Sequence, residues 1–267
     1  MDERKTNSKD ELGLVCDSAK HTEKEKNLVG KLCDAFEMSA LPLAQRLQFF
    51  PRHIRRQDIA RFLAKYEIFK QSLSVHGSVI ECGVLMGGGL MGWLHFSAIL
   101  EPYNYTRRII GFDTFSGFPS VSKKDAQTGS SEHLYAGGLQ AHANIKEELN
   151  HLVALHDENR PLGHIPKVEL VEGDACKTIP KYIEENPHLL ISLLYLDFDL
   201  YEPTKVALEQ LYPRVVKGGL VAFDELNCPE FPGETMALLE TMDLAEVKLR
   251  RFPLDPYISY FVKGARD

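Results

Sequence analysis

Five short apolar runs, each closing on glycine or an acid, recur between residues 78 and 225 and leave few choices of architecture. Ser78-Val79-Ile80-Glu81-Cys82-Gly83 is the first; residues 108–113, 168–174, 189–197 and 220–224 are the others. Each has the length and apolar content of a buried strand. Helical stretches follow the first (through Leu100), the third (with Tyr182 and Ile183) and the fourth (residues 203–211). Strands separated by helices run parallel, because each helix carries the chain back across the sheet. The expected fold class is α/β, with a doubly wound, mostly parallel sheet. Residues 247–249 and 259–262 are expected to add a terminal antiparallel pair.

Helical spacing also precedes the sheet. Leu28, Leu32, Ala35 and Phe36 fall on one helical face, and further helices are expected over 41–50 and 56–74. In the last, Ile59, Phe62, Leu63, Tyr66 and Phe69 read as a core stripe. The expected organisation is a disordered tail over 1–25, an N-terminal helical cap over 26–76 and a main domain over 77–267. Between Pro119 and His164 the rhythm of short connections breaks. A connection of that length often forms a lid, here with a helix expected over 139–155.

Bulk properties narrow the partners. A net charge of −7 without a basic face disfavours nucleic acid, and no apolar run is long enough to span a membrane. The opening MDERKTNSKDE has neither the basic nor the apolar region of a secretory signal, and the five cysteines (Cys16, Cys33, Cys82, Cys176, Cys228) show no CxxC spacing. Reduced thiols in a cytoplasmic protein are expected, with no zinc site.

Chemistry concentrates where strands end. In Leu194-Tyr195-Leu196-Asp197-Phe198-Asp199 and Val221-Ala222-Phe223-Asp224-Glu225, consecutive strands each run into two acids, so four carboxylates can converge in the crevice of the sheet. Such convergence is costly unless a cation, a proton or a reaction uses it. Glu81-Cys82-Gly83 leads into Gly87-Gly88-Gly89, a turn that lets a ligand approach the backbone. It is neither GxGxxG nor a P-loop, and Glu81 would repel pyrophosphate but suit a cationic amino group. Asp113, at the end of the second strand, is placed for the two hydroxyls of a ribose; the alternative is a loop or capping aspartate. Asp174 in Glu172-Gly173-Asp174-Ala175 either accepts from an adenine amino group or caps the next helix, and both can hold. Phe115 and Phe118 either pack against a base or anchor their loop. Glu202-Pro203-Thr204 beside Tyr201 reads as a helix start.

In sequence order the motifs are ExGVxxGGG, GFDTFSGFP (111–119), VEGDA (171–175), LYLDFDLYEPT (194–204) and LYPRVVKGGLVAFDE (211–225). Together they resemble the TylF/MycF family of macrocin-type, S-adenosylmethionine-dependent sugar O-methyltransferases. Within it the chain is most similar to the members acting on nucleotide-linked deoxysugars, the TDP-rhamnose 3-O-methyltransferases such as that of calicheamicin biosynthesis. The resemblance implies a Rossmann-like class I methyltransferase fold, with the N-terminal helical layer and the lid insertion at 119–164. It implies S-adenosyl-L-methionine held at Glu81, Gly83, Gly87, Gly88, Asp113, Thr114, Phe115, Gly173, Asp174, Ala175 and Asp197. It also implies Mg2+ bound by Asp197, Asp224 and Glu225, although many relatives carry a second aspartate where this chain has Glu225.

Methyl transfer to a sugar hydroxyl needs that hydroxyl positioned and deprotonated. Asp199 is the first choice of base and Asp197 the second, because a metal-bound carboxylate is the weaker base. His142, in the insertion, is a further candidate, with a solvated loop histidine as the alternative. The implied acceptor is a nucleotide-linked deoxysugar of antibiotic biosynthesis, and the implied assembly is a homo-oligomer, dimer or higher. Two rivals are an NAD-type oxidoreductase, against which the glycine spacing and Glu81 argue, and a non-catalytic adapter on a methyltransferase-like fold.

Overall fold

The computed structural model describes residues 22–264. Of the tail expected over 1–25, residues 1–21 lie outside the described residues, and the last positions open a helix. Thr22 accepts from the amide of Glu25 and Glu25 returns a bond to the amide of Thr22, a capping box that starts α1 (Glu23–Glu37). The chain resolves into two compact units, one ending at Ala60 and the other beginning at Arg61.

The first unit holds α1, the short α2 (Leu43–Gln48), a 3-10 turn (Phe50–Arg52) and the first turn of α3 (Arg56–Ser72). Within it Arg46 donates to the carbonyls of Phe36 and Leu41, closing the α1–α2 corner.

The second unit is built on one sheet. Its strands are β1 (Ser78–Cys82), β2 (Ile109–Asp113), β3 (Val168–Glu172), β4 (Ile191–Leu196), β5 (Val215–Phe223), β6 (Arg250–Arg251) and β7 (Ser259–Val262). The spatial order is β3-β2-β1-β4-β5-β7-β6. β1 to β5 pair in parallel and β7 pairs antiparallel to both β5 and β6. Helices α4 (Gly88–Leu100), α5 (Lys123–Thr128), α6 (Ile145–Asn159), α7 (Ala175–Glu185), α8 (Tyr201–Gln210) and α9 (Gly233–Thr241) complete the unit.

Strand alternation divides the core into two layers. Ile80, Cys82, Ile110, Phe112, Leu194, Leu196, Val221 and Phe223 face α7, α8 and α9. Val79, Ile109, Leu193, Tyr195, Leu220 and Ala222 face α3, α4 and α6 through Ile68, Phe69, Leu90, Trp93 and Leu149. Each fully buried side chain of that size contributes roughly 1.5–3 kcal/mol, so both layers are large enough to fix the sheet. Because β1 lies between β2 and β4, the chain reverses its direction of travel across the sheet there. A crevice opens at such a point, at the carboxyl ends of β1 and β4.

Several elements differ from the sequence reading. The buried face of α3 is Ala64, Lys65, Ile68, Phe69 and Ser72, whereas Phe62 and Leu63 are 44 % and 42 % exposed. The stripe is rotated because one of its positions is a cation, Lys65, paired with Glu81 of the sheet, a tertiary effect that apolar spacing does not register. The helix expected over 139–155 starts at Ile145 and runs to Asn159. β5 begins at Val215, ahead of the Gly218–Gly219 pair, and the edge strand beside β7 is Arg250–Arg251 rather than 247–249. Helices α5 and α9 were not anticipated. Among the described residues no helix is long and apolar enough to cross a membrane, and Cys33, Cys82, Cys176 and Cys228 are free thiols.

Candidate active site

The crevice begins at the turn after β1. Gly83 has φ +95° and lies so close to the end of β4 that an added Cβ would stand 1.8 Å from the Asp197 carbonyl oxygen. Only glycine fits there, and its absence of side chain is what lets the two strand ends meet. Gly87 caps α4 in the left-handed region, where an added Cβ would strike Leu149. Gly88 differs: nothing lies within 4 Å of an added Cβ. Glu81 is buried beneath this turn against Gly89, with Lys65 Nζ 3.4 Å from its Oε1. Its Oε2 has no hydrogen-bond partner in the protein. Burial pushes the Glu81 carboxyl up, and the Lys65 charge opposes that.

The neighbouring strand ends organise the same turn. Asp113 accepts from the amides of Val84 (2.7 Å) and Leu85 (2.8 Å) through Oδ2, and from Phe115 (2.7 Å) through Oδ1. Its observed partners are therefore backbone amides of the glycine turn and of its own loop. Thr114 Oγ1 donates to the Gly117 carbonyl (2.6 Å), and Phe115, at φ 53°, packs into the core on the α4 side. Gly173 donates to the Asp113 carbonyl (2.9 Å) at φ +130°. Asp174 is the N-cap of α7, accepting from Cys176 (3.0 Å) with Lys177 at 3.1 Å; Ala175 is buried behind it. The capping alternative for Asp174 is thus realised.

The acids gather as the strand register dictates. Cys82 is level with Leu196, and Leu196 with Phe223, so Asp197 and Asp224 form the next rung. The Asp197 amide donates to the Cys82 carbonyl (2.7 Å) and the Asp224 amide to the Leu196 carbonyl (2.9 Å). Asp199 follows at φ 63°. Burial raises the carboxyl of Asp197 well above its ordinary range, and Asp224 adds to the effect. Burial raises Asp199 likewise, with Glu225 as its chief charged neighbour. Asp224 goes the other way: burial is the largest effect and would raise it, but the charges of Arg61 and Lys65 and the hydrogen bonds from Arg61 and Tyr195 together hold it down. Its Oδ2 accepts from Arg61 Nη2 and its Oδ1 from the buried Tyr195 hydroxyl.

Three residues of this site escaped the sequence reading. Arg61 and Lys65 lie one helical turn apart on α3, each at an acid of a different strand, and Lys65 also lies 4.3 Å above the Tyr195 ring. Glu234, fully buried in the first turn of α9, accepts from the amide of Glu225 (3.2 Å) and of Asp199 (3.4 Å). It thereby holds both acid-bearing turns. The signal for the cations was their i, i+4 spacing on a helix that also carries an apolar stripe; nothing local marked Glu234. His142 is not drawn into the cluster by any of these contacts: it is more than half exposed and faces Glu148 at 3.1 Å.

The donors fit a sulfonium-bearing nucleoside at the β1 turn. The buried Oε2 of Glu81 lacks a donor, and the space over Gly88 is open. They do not fit magnesium in this arrangement. Both oxygens of Asp224 are engaged by Arg61 and Tyr195, and among the described residues no three His, Cys, Asp or Glu side chains form a group that could hold a metal ion.

Known proteins resemble this chain in fold and sequence. The crystal structure of CalS11, a calicheamicin methyltransferase, superposes with a TM-score of 0.88 at 34 % identity, over 92 % of this chain and 95 % of that one. The apo structure of CalS11, described as a TDP-rhamnose 3'-O-methyltransferase of calicheamicin biosynthesis, gives 0.80 at 32 % identity over 92 % and 96 %. A tetracenomycin rhamnosyl 4'-O-methyltransferase of Streptomyces olivaceus is 29 % identical over 57 % of this chain; the chain spans about half the length of that curated relative, 53 %. NovP, an O-methyltransferase at 20 % identity and a TM-score of 0.54, shares the fold. The model of the macrocin-O-methyltransferase (TylF) family matches residues 59–237, the stretch that carries the glycine turn and all the strand-end acids, and the chain belongs to that family.

Proposed function

We propose that this protein transfers a methyl group from S-adenosyl-L-methionine to a hydroxyl of a deoxysugar, with a nucleotide-linked sugar of antibiotic biosynthesis as acceptor. The observation that carries the reading is the pairing, at one crevice, of an open glycine turn with half-buried carboxyls raised toward neutrality. Glu81 would hold the cationic amino group, Gly83, Gly87 and Gly88 the backbone approach, and Asp113, Thr114, Phe115, Gly173, Asp174, Ala175 and Asp197 the nucleoside side. When bound, the cofactor supplies an electrophilic methyl on sulfur.

The chain's own work is on the acceptor. A sugar hydroxyl is a weak nucleophile at neutral pH, so a base must hold its proton as the new bond forms. Asp199 is that base in this reading, with Asp197 second. Burial among like charges gives each the raised affinity for a proton that such a role needs. Glu234 fixes the Asp199 turn through its amide. The 119–164 segment is read as the lid that excludes water, and His142 within it stays a reserve base only. A cytoplasmic, homo-oligomeric enzyme completes the proposal. Magnesium dependence, implied by the resemblance, is left out of it, because Asp224 is engaged elsewhere.

Calorimetric titration with S-adenosylmethionine and S-adenosylhomocysteine tests the reading, with NAD as control. Binding of both sulfur ligands, followed by a gain of one methyl on a TDP-deoxysugar by mass spectrometry, is the expected result. No affinity for either, or affinity for NAD instead, would overturn it.

A further inference from the structure

The acid cluster has its own cation. Arg61 is the first residue of the sheet-bearing unit, and its Nη2 donates to Asp224 Oδ2 while its Nη1 stands 3.9 Å from Asp255 Oδ2. Asp255 is itself held by the amides of Tyr257 (2.8 Å) and Ile258 (3.1 Å), just ahead of β7. The guanidinium is therefore fixed from two sides by carboxylates that are almost fully buried. The second oxygen of Asp224 accepts from Tyr195, also buried. Lys65, one turn on, sits at Glu81 in the same manner. α3 thus lays a row of positive charge along the acidic edge of the sheet. That row occupies the electrostatic place a divalent cation would take.

We propose that Arg61 is a built-in competitor of divalent cations at Asp224, so that a metal gains this carboxylate only as the guanidinium leaves it. The inference rests on the methyltransferase reading of the same crevice. Two positive groups cannot share a buried carboxylate without strong mutual repulsion, which low surrounding polarity enhances. Removing the guanidinium leaves the buried Asp224 with only the Tyr195 hydroxyl and the Lys65 charge to offset it, a state that favours capture of a replacement cation. Arg61 thereby sets the metal affinity of the site from a helix that contributes no metal ligand.

Manganese binding, read by electron paramagnetic resonance on the full chain, tests this without any turnover. Arg61→Met is expected to bind Mn2+ about tenfold more tightly than the parent or better, and adding Asp224→Asn should abolish the gain. Arg61→Lys, which keeps the charge but loses the planar fork, should fall between. Equal or weaker Mn2+ binding by Arg61→Met, with a native circular-dichroism spectrum, overturns the proposal. So does a tightening that survives Asp224→Asn, or an absence of Mn2+ binding in all of these proteins. S-adenosylhomocysteine affinity is measured alongside: its absence from the parent would defeat the methyltransferase reading and leave the Mn2+ comparison interpretable.

Discussion

Asp199 occupies the left-handed region at φ 63°, a conformation that costs a non-glycine residue about 1–3 kcal/mol. It is retained because the surroundings leave no alternative: the Asp199 carbonyl oxygen would lie 2.6 Å from a Cβ added at Gly233, and its amide is held by Glu234. Asparagine tolerates this region as well as aspartate does, so Asp199→Asn should keep the turn and the cofactor affinity. Its kcat should fall about 10²- to 10⁴-fold; turnover near that of the parent would move the base elsewhere. The glycines give a second comparison. Gly83→Ala places a Cβ on the Asp197 carbonyl at a positive φ, and should cost upwards of about 2 kcal/mol in chemical denaturation. Gly88→Ala has open space and should leave stability intact while weakening S-adenosylhomocysteine about tenfold, the penalty of one misplaced methyl group. Equal loss of stability in both would show that the space over Gly88 is not a ligand's.

At the scale of the element, α3 is where pattern and packing part. Apolar spacing selects Ile59, Phe62, Leu63, Tyr66 and Phe69, but the inward face runs through Ala64, Lys65, Ile68 and Phe69. Ile68→Ala should therefore cost about 2–5 kcal/mol and Leu63→Ala under about 1 kcal/mol, measured by denaturant unfolding; the reverse order would restore the sequence-derived stripe. The strands were legible because alternation and terminal acids are local signals, and the register then aligned Asp197 with Asp224 as those signals required. What the sequence left hidden depends on partners remote in the chain: Arg61 with Asp224, Lys65 with Glu81, and Glu234 with two turns. The long insertion shows the same limit. Its α5 is clasped by Asp125, which caps the helix with Ser122 and also accepts from the Tyr201 amide at 2.9 Å. Its α6 meets α4 through His156 and His95, whose rings stand 4.6 Å apart. Burial, and then His156, hold the His95 imidazole below its ordinary pKa. A lowered histidine is neutral in the fold while the unfolded chain takes up the proton first, so stability is lost as pH falls below about 6.5. The melting temperature should drop between pH 7.5 and 5.5, and His95→Phe should flatten that dependence; an unchanged slope would remove this pair as its source.

For the whole molecule, the glycine turn and strand-end acids assigned to the cofactor belong to the unit beginning at Arg61, at the carboxyl ends of β1 to β4. Ligand binding at that edge is bound to report on the stability of the entire sheet, since β1 and β4 are its central strands and each end carries part of the site. A ligand that binds only the folded state stabilises it by about 2.7 kcal/mol at a hundredfold excess over its Kd. In a unit of this size each kcal/mol moves the midpoint by roughly 2–4 °C. S-adenosylhomocysteine at that concentration should therefore raise the melting temperature by about 5–10 °C, and NAD should not move it. Gly88→Ala, assayed at the same ligand concentration, should lose about half of the rise, because a tenfold weaker Kd removes about 1.4 kcal/mol. A rise with NAD, or none with the sulfur ligand at any concentration, would separate this sheet edge from the cofactor that its family membership predicts.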